Sequence, residues 1–227
     1  MSPTKGVEKE NLMTTKIDPK AWVGSHLVRI AQSSICIRTN DGKSIAIDPF
    51  TKSPHWPKVD LVLVTHGHGD HFNPQVVRGL LKEGTRVVVP ASLKATGADH
   101  GLATDTLAPG EVKTFAGWEV TAVRAYNVKK PMHPRSRDLL GYVIEVDGLR
   151  VYHAGDTDLI PEMSEVKADV ALLPVGGLAT MNVTEAVRAA GILGAHVTIP
   201  IHYGTVPFTG GAGREFARLW TGTTVLV

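Results

Sequence analysis

Three apolar runs of this chain stop at histidine or aspartate. Residues 62–65 (Val-Leu-Val-Thr) lead into His-Gly-His-Gly-Asp-His at 66–71, residues 149–155 lead into Asp156, and the run at 197–201 leads into His202. Short runs rich in β-branched residues and bounded by turn formers read as strands, and continuous ones as strands buried on both faces. Several ionisable groups crowded at a buried strand end are costly without a compensating partner. If these strands belong to one sandwich, their ends can converge along one edge, where loops carry such groups on a rigid scaffold.

The spacing within 66–71 is informative. His66 and His68 are two apart, so in an extended segment they point to one side. Gly67 and Gly69 let the backbone bend, after which Asp70 and His71 face a different point. One short loop can then serve two metal positions, because neutral imidazole and carboxylate are good donors for Zn²⁺ and similar divalent ions. A lone loop histidine is most often a surface or structural group. Three histidines and an aspartate within six positions are better explained by a shared cation.

Strands are expected at 26–31, 34–39, 44–50, 60–65, 86–90, 118–126, 141–146, 149–155, 169–177 and 196–202. Asn40-Asp41-Gly42 and Asp147-Gly148 mark hairpin turns. A helix is expected from Asn73 as N-cap and Pro74 as first residue to a stop at Gly84. A second runs from Asn182, with Glu185 completing a capping box, and a last one covers 213–220. The order suggests two similar β-rich halves, each covered by helices and sharing one core. Residues 1–20 read as a polar, mobile extension and 21–227 as a single domain. Residues 1–20 carry no apolar core of a secretory signal, and no window reaches the length of a spanning helix.

Composition narrows the function classes. A chain of 227 residues with net charge +2 gives no electrostatic argument for a nucleic-acid or membrane partner. Cys36, the single cysteine, excludes an intrachain disulfide and a cysteine zinc cluster and fits a cytoplasmic location.

The stretches Thr-His-Gly-His-Gly-Asp-His at 65–71, His-Ala-Gly-Asp-Thr-Asp at 153–158 and Ile-Pro-Ile-His-Tyr-Gly-Thr at 199–205 resemble the metallo-β-lactamase superfamily. Together with Ile-Ala-Ile-Asp-Pro-Phe at 45–50 and Leu-Leu-Pro-Val-Gly-Gly at 172–177, they resemble its small single-domain branch of metal-dependent hydrolases, akin to ascorbate-phosphate lactonases. The resemblance implies an α/β fold, a four-layer αβ/βα sandwich with a binuclear site along one edge of the sheets. It implies His66 and His68 on one metal, Asp70, His71 and His202 on the other, and Asp156 bridging. Asp70 and Asp156 are the candidate catalytic carboxylates. Two divalent ions are implied, Zn²⁺ first, with Mn²⁺ or Fe²⁺ as alternatives.

Two positions depart from the family pattern. The usual third histidine of the first metal falls at Asn127, and His133, six residues on, is the replacement candidate if its loop folds back. Gln32 stands where relatives often carry histidine. His26 and His196 are expected to be structural and His55 and His100 surface groups. His153 either orients Asp156 or packs in the core. The basic loop with Lys129, Lys130, Arg135 and Arg137 either binds an anionic substrate group or is solvated.

The expected activity is hydrolysis of a small ester, lactone or phosphoester. The partner is then a small molecule, anionic by the branch's precedent; nucleic acid is disfavoured, and assembly of like chains is left open. The competing readings are a nuclease-type phosphodiesterase and a non-catalytic metal-binding regulatory or interaction protein.

Overall fold

The computed structural model describes residues 17–205 and 208–227. Two six-stranded mixed sheets stack face to face. One has the order β1 (Leu27–Ala31), β2 (Ser34–Arg38), β3 (Ser44–Ile47), β4 (Leu61–Leu63), β5 (Arg86–Pro90), β6 (Asp105–Leu107). The other runs β12 (Val197–Ile201), β11 (Val170–Pro174), β10 (Leu149–His153), β9 (Leu140–Val146), β8 (Trp118–Arg124), β7 (Val112–Phe115). Each sheet joins an antiparallel part to a parallel part: β3 to β6 run parallel in the first, and β10 to β12 in the second.

The inner faces of both sheets form one core that includes Ile35, Ile47, Leu63, Tyr142, Val151 and Ile199. The outer face of the first sheet is covered by helix α2 (Pro74–Leu80), through Val77 and Leu80 against Val62 and Val87. The outer face of the second is covered by α4 (Val183–Leu193) and α5 (Ala212–Leu219), through Ala186, Ala190 and Phe216 against Ala171 and Leu173. These layers, helix, sheet, sheet, helix, make a four-layer α/β sandwich. Parallel strands β4 and β11 are buried along their whole length, which explains why they read as unbroken apolar runs. Pro200 is tolerated because β12 pairs with β11 on one side and lies at the sheet edge.

Local signals explain most element ends. Asn182 and Glu185 form a reciprocal capping box on α4, and Gly194 closes that helix in the left-handed region. Asp147-Gly148, both at positive φ, turn β9 into β10. Helix α1 (Pro19–His26) was not anticipated from the sequence. It is capped by Asp18, buries Trp22 and Val23, and stacks Trp22 on His26. It begins inside the segment read as an extension; residues 1–16 lie outside the described residues. Helix α2 ends at Leu80 rather than near Gly84, because Leu81 is already extended and Lys82–Thr85 close a separate turn. A short helix α3 (Lys94–Asp99) fills part of the mixed segment between β5 and β6.

The fold matters for function through one fact. Strands β3, β4, β10 and β12 deliver Asp48, the 66–71 loop, Asp156 and His202 to the same edge.

Candidate metal centre

Asp156 lies at the centre of the cluster. Its Oδ2 is 3.1 Å from His202 Nε2, 3.7 Å from His133 Nε2 and 3.9 Å from His66 Nε2, while Oδ1 is 3.3 Å from His71 Nε2. His68 Nδ1 is 3.1 Å from both His66 Nε2 and His133 Nε2. Asp70 Oδ2 lies 3.7 Å from His202 Nε2 and 3.9 Å from His71 Nε2. The seven residues singled out from the sequence are thus brought together.

The donor atoms fall into overlapping sets. Those of His66, His68 and His133, those of His66, His71 and Asp156, and those of Asp70, His71 and His202 each lie within 4.8 Å of one another. His71 Nε2 and Asp156 Oδ1 are buried without a hydrogen-bond partner. Orphaned buried polar atoms are rare in folded proteins and call for a ligand. Nitrogen and carboxylate donors in this density suit a divalent cation, so the residues present fit a metal.

Outer contacts fix the orientation of these donors. Asp48, at the end of β3 and fully buried, accepts from Thr65 N and Thr65 Oγ1, each at 2.7 Å, and pairs with His71 Nδ1 at 2.7 Å. That leaves His71 Nε2 facing Asp156. His133 Nδ1 meets Ala179 O at 2.9 Å and Asn127 Oδ1 at 3.1 Å, which leaves Nε2 to face the cluster. The loop does fold back: Asn127 N donates to His133 O at 2.7 Å, and His133 N donates to Asn127 Oδ1. Asn127 therefore props His133 rather than joining the cluster.

His202 sits at φ 58 and donates its N–H to Gln32 O. Gly176 makes room for this conformation, since a Cβ there would stand 2.6 Å from His202 O and 2.7 Å from its Nδ1. Gln32 Nε2 is 3.3 Å from Asp70 Oδ2 and 3.2 Å from His202 Nε2, so its amide touches the cluster.

The remaining histidines are structural or exposed. His153 is buried and bonds Ser33 O at 2.9 Å, tying the end of β10 to the β1–β2 turn. His26 bridges Trp22 O and Asn40, and His196 lies 3.5 Å from Asp169. His55 and His100 are exposed. Of the basic loop, Lys130 is held by Asp158, Thr180 O and Glu185, and Arg135 by Glu162. Cys36 is a buried packing residue whose thiol is pushed up to about 11 by burial.

Charge within the metal-free cluster is divided unevenly. Burial, joined by repulsion from His71, holds His66 well below the usual imidazole range, so it is neutral. Burial also opposes charge on His71, but the Asp156 and Asp48 carboxylates outweigh it and raise its pKa well above 6.5. Burial would raise Asp156, yet His71 and His202 hold it well below 3.8. His71 therefore carries a proton at neutral pH in the metal-free protein, and a cation must displace it. Titrating zinc into metal-free protein at pH 7 should release about one proton per chain from this residue, seen as buffer-dependent heat in calorimetry. Heat independent of the buffer would contradict the assignment.

The same shifts set the stability of the metal-free chain. Asp156 contributes fully above 3.8 and loses that contribution as pH falls through its depressed pKa. His71 contributes fully below 6.5 and loses it as pH rises through its raised pKa. The pair thus stabilises the metal-free fold most between these two values.

A sandwich of this order with histidines and aspartates at one sheet edge defines a class, the metal-dependent hydrolases of metallo-β-lactamase fold. Residues 27–202 match the family described as the β-lactamase superfamily domain. A UPF0173 metal-dependent hydrolase of Rubrobacter xylanophilus is 31% identical over 214 residues, 86% of this chain and 88% of that relative. One from Thermus thermophilus is 35% identical over 202 residues, 84% of this chain and 89% of that relative. The solved structure of Igni18, a metallo hydrolase from Ignicoccus hospitalis, superposes with a TM-score of 0.75 at 26% identity, covering 88% of this chain and 94% of that one. The chain belongs to the β-lactamase superfamily and, within it, to the UPF0173 metal-dependent hydrolases. Among the described residues, no helix is long and apolar enough to cross a membrane.

Sequence reading missed Asp48. The signal was present, since Ile-Ala-Ile-Asp-Pro-Phe is a further apolar run that stops at an aspartate.

Proposed function

We propose that the protein hydrolyses a small ester, lactone or phosphoester at a centre of two divalent cations, with Zn²⁺ the first candidate and Mn²⁺ or Fe²⁺ the alternatives. His66, His68 and His133 would hold one cation, Asp70, His71 and His202 the other, and Asp156 would bridge them. The observation that carries this reading is the position of Asp156, whose two oxygens lie 3.1–3.9 Å from four imidazole nitrogens delivered by three loops. When bound, such ions acidify a shared water and polarise a substrate carbonyl or phosphoryl oxygen.

The chain's own residues divide the rest of the work. Both carboxylates line the cavity above the cluster, but Asp156 is almost wholly buried, which suits a clamp, whereas the Asp70 side chain is 39% exposed. Asp70 is thus the carboxylate more open to a substrate, placed to take a proton from the attacking water and return it to the leaving oxygen. Gln32 holds one Asp70 oxygen and limits its rotation. Asp48 and Asn127 keep His71 and His133 aimed inward.

An anionic substrate group is supported by a second groove of about 540 Å³ that shares His66 and His68 with the cluster and is flanked by Arg137. Asp138, beside it, is already paired with Arg124 at 2.7 Å. A guanidinium next to a hydrolytic centre suits a carboxylate or phosphate. A buried single thiol is compatible with a cytoplasmic setting.

Elemental analysis of the purified protein, followed by assay on ester, lactone and phosphoester panels with each metal restored after chelation, tests this reading. About two equivalents of metal and metal-dependent turnover on one panel are expected. Bound metal with no turnover on any panel would favour a non-catalytic role.

A further inference from the structure

The cavity directly above the cluster has a volume of about 220 Å³. Its wall outside the cluster residues is made by Met132, Gly176, Leu178, Ala179 and Thr209. Among the described residues, no lysine or arginine lines it. Lys130, in the 128–133 loop, is tied to Asp158, Thr180 O and Glu185.

Two of the wall residues are exposed apolar side chains, Leu178 at 73% and Met132 at 49%. Neither contributes to a core cluster, and each exposes surface that would be favourable to bury. Their backbones are nonetheless pinned. Ala179 O, beside Leu178, accepts from Asn127 Nδ2 at 2.8 Å and meets His133 Nδ1 at 2.9 Å. Met132 directly precedes His133, in a loop closed by the Asn127 N to His133 O bond. The backbone next to both side chains is therefore fixed by the same hydrogen bonds that aim His133 at the cluster. Two exposed apolar side chains on one cavity wall suit an apolar portion of a ligand, whose burial there would be favourable.

We infer that Met132 and Leu178 are apolar jaws that hold a short alkyl or acyl portion of the substrate, with its reacting carbonyl or phosphoryl group at the cluster. The inference rests on the metal-centre reading and adds the substrate class. The cavity is smaller than the roughly 300–1,000 Å³ of sites for drug-sized ligands, so the apolar portion is short. Each methylene buried between the jaws strengthens binding by about threefold to fourfold. An anionic group of the same molecule would lie on the other side of His68, toward Arg137.

Straight-chain alkyl hydroxamates test this without turnover, because the hydroxamate grips a divalent cation while its chain probes the wall. Zinc-loaded protein is titrated calorimetrically with acetohydroxamate, butyrohydroxamate and hexanohydroxamate. Wild type should gain about a hundredfold in affinity across the four added methylenes of the series. Leu178→Ser combined with Met132→Ser should flatten that slope at unchanged metal content. Val128→Ser alters an exposed apolar residue of the same loop that lies outside the cavity, and should keep the wild-type slope. A flat series in wild type, or an equally steep one in the double variant, overturns the jaws. Loss of the slope in Val128→Ser also overturns them, since the effect would then be general to the loop. Failure of acetohydroxamate to bind strikes instead at the metal-centre reading, and the jaws fall with it.

Discussion

Asp156→Asn should cost about 10³-fold or more in turnover and reduce bound metal to less than half, while the far-ultraviolet circular dichroism stays that of the wild type. The substitution keeps the volume of a side chain that is 3% exposed, so the packing of the strand ends is not emptied. The change is electrostatic. Among the described residues, Asp156 brings the one carboxylate that reaches imidazoles of both donor sets, at 3.3 Å to His71 and 3.7 Å to His133. An amide can offer only one oxygen, and its NH₂ would point a donor at nitrogens that must themselves donate electrons to a cation. The metal-free protein gives an independent reading. Burial alone would keep His71 neutral, and Asp156 is the largest influence opposing it. His71 should therefore titrate at lower pH in Asp156→Asn, as followed by imidazole proton resonances. Wild-type metal content and turnover in this variant would remove the basis for a bridged pair of cations.

The parts of this site legible in the sequence share one property. His66, Asp156 and His202 each follow an apolar run, and a residue's place at a strand end is a local signal. Burial of β4, β10 and β12 between layers produced those runs. What stayed illegible depends on contacts far apart in the chain. Asp48 acts on His71, 23 residues later, and an aspartate followed by proline after a strand reads equally well as a turn former. His133 could be named only as a candidate, because its place depends on Asn127 folding the loop back and on Ala179, 46 residues away. Helix α1 escaped for a different reason. Its eight residues, with glycine and serine near the end, have weak helical preference, and it is held by Trp22, whose indole N–H donates to Asp147 at 2.9 Å. The two sheets themselves were readable as two β-rich halves, since alternating strands and turn formers are local features too.

Asp48→Ala is expected to damage stability and metal affinity together, by about 3–5 kcal/mol in the metal-free protein and about 10–100-fold in metal dissociation constant. Asp48 is fully buried and held at φ 49; its N–H donates to Leu63 O at 2.9 Å, and its own carbonyl accepts from Ser34. The carboxylate satisfies Thr65 N, Thr65 Oγ1 and His71 Nδ1 at once. Alanine leaves all three without their acceptor in a water-free site, and it removes one of the two carboxylates that keep His71 charged when metal is absent. Asp48→Asn separates packing from proton placement. If Oδ1 keeps its bond to Thr65 N, the amide NH₂ faces His71 Nδ1, which must then accept. The neutral imidazole then keeps its single proton on Nε2, the atom 3.3 Å from Asp156 that a cation would need bare. Asp48→Asn should therefore retain most of the denaturation midpoint that Asp48→Ala loses, yet bind metal no better than Asp48→Ala. Thermal unfolding of the metal-free forms and competitive titration with a chromogenic chelator measure the two effects separately. If asparagine restored metal affinity along with stability, Asp48 would act by filling space, and the proton on His71 would not be under its control.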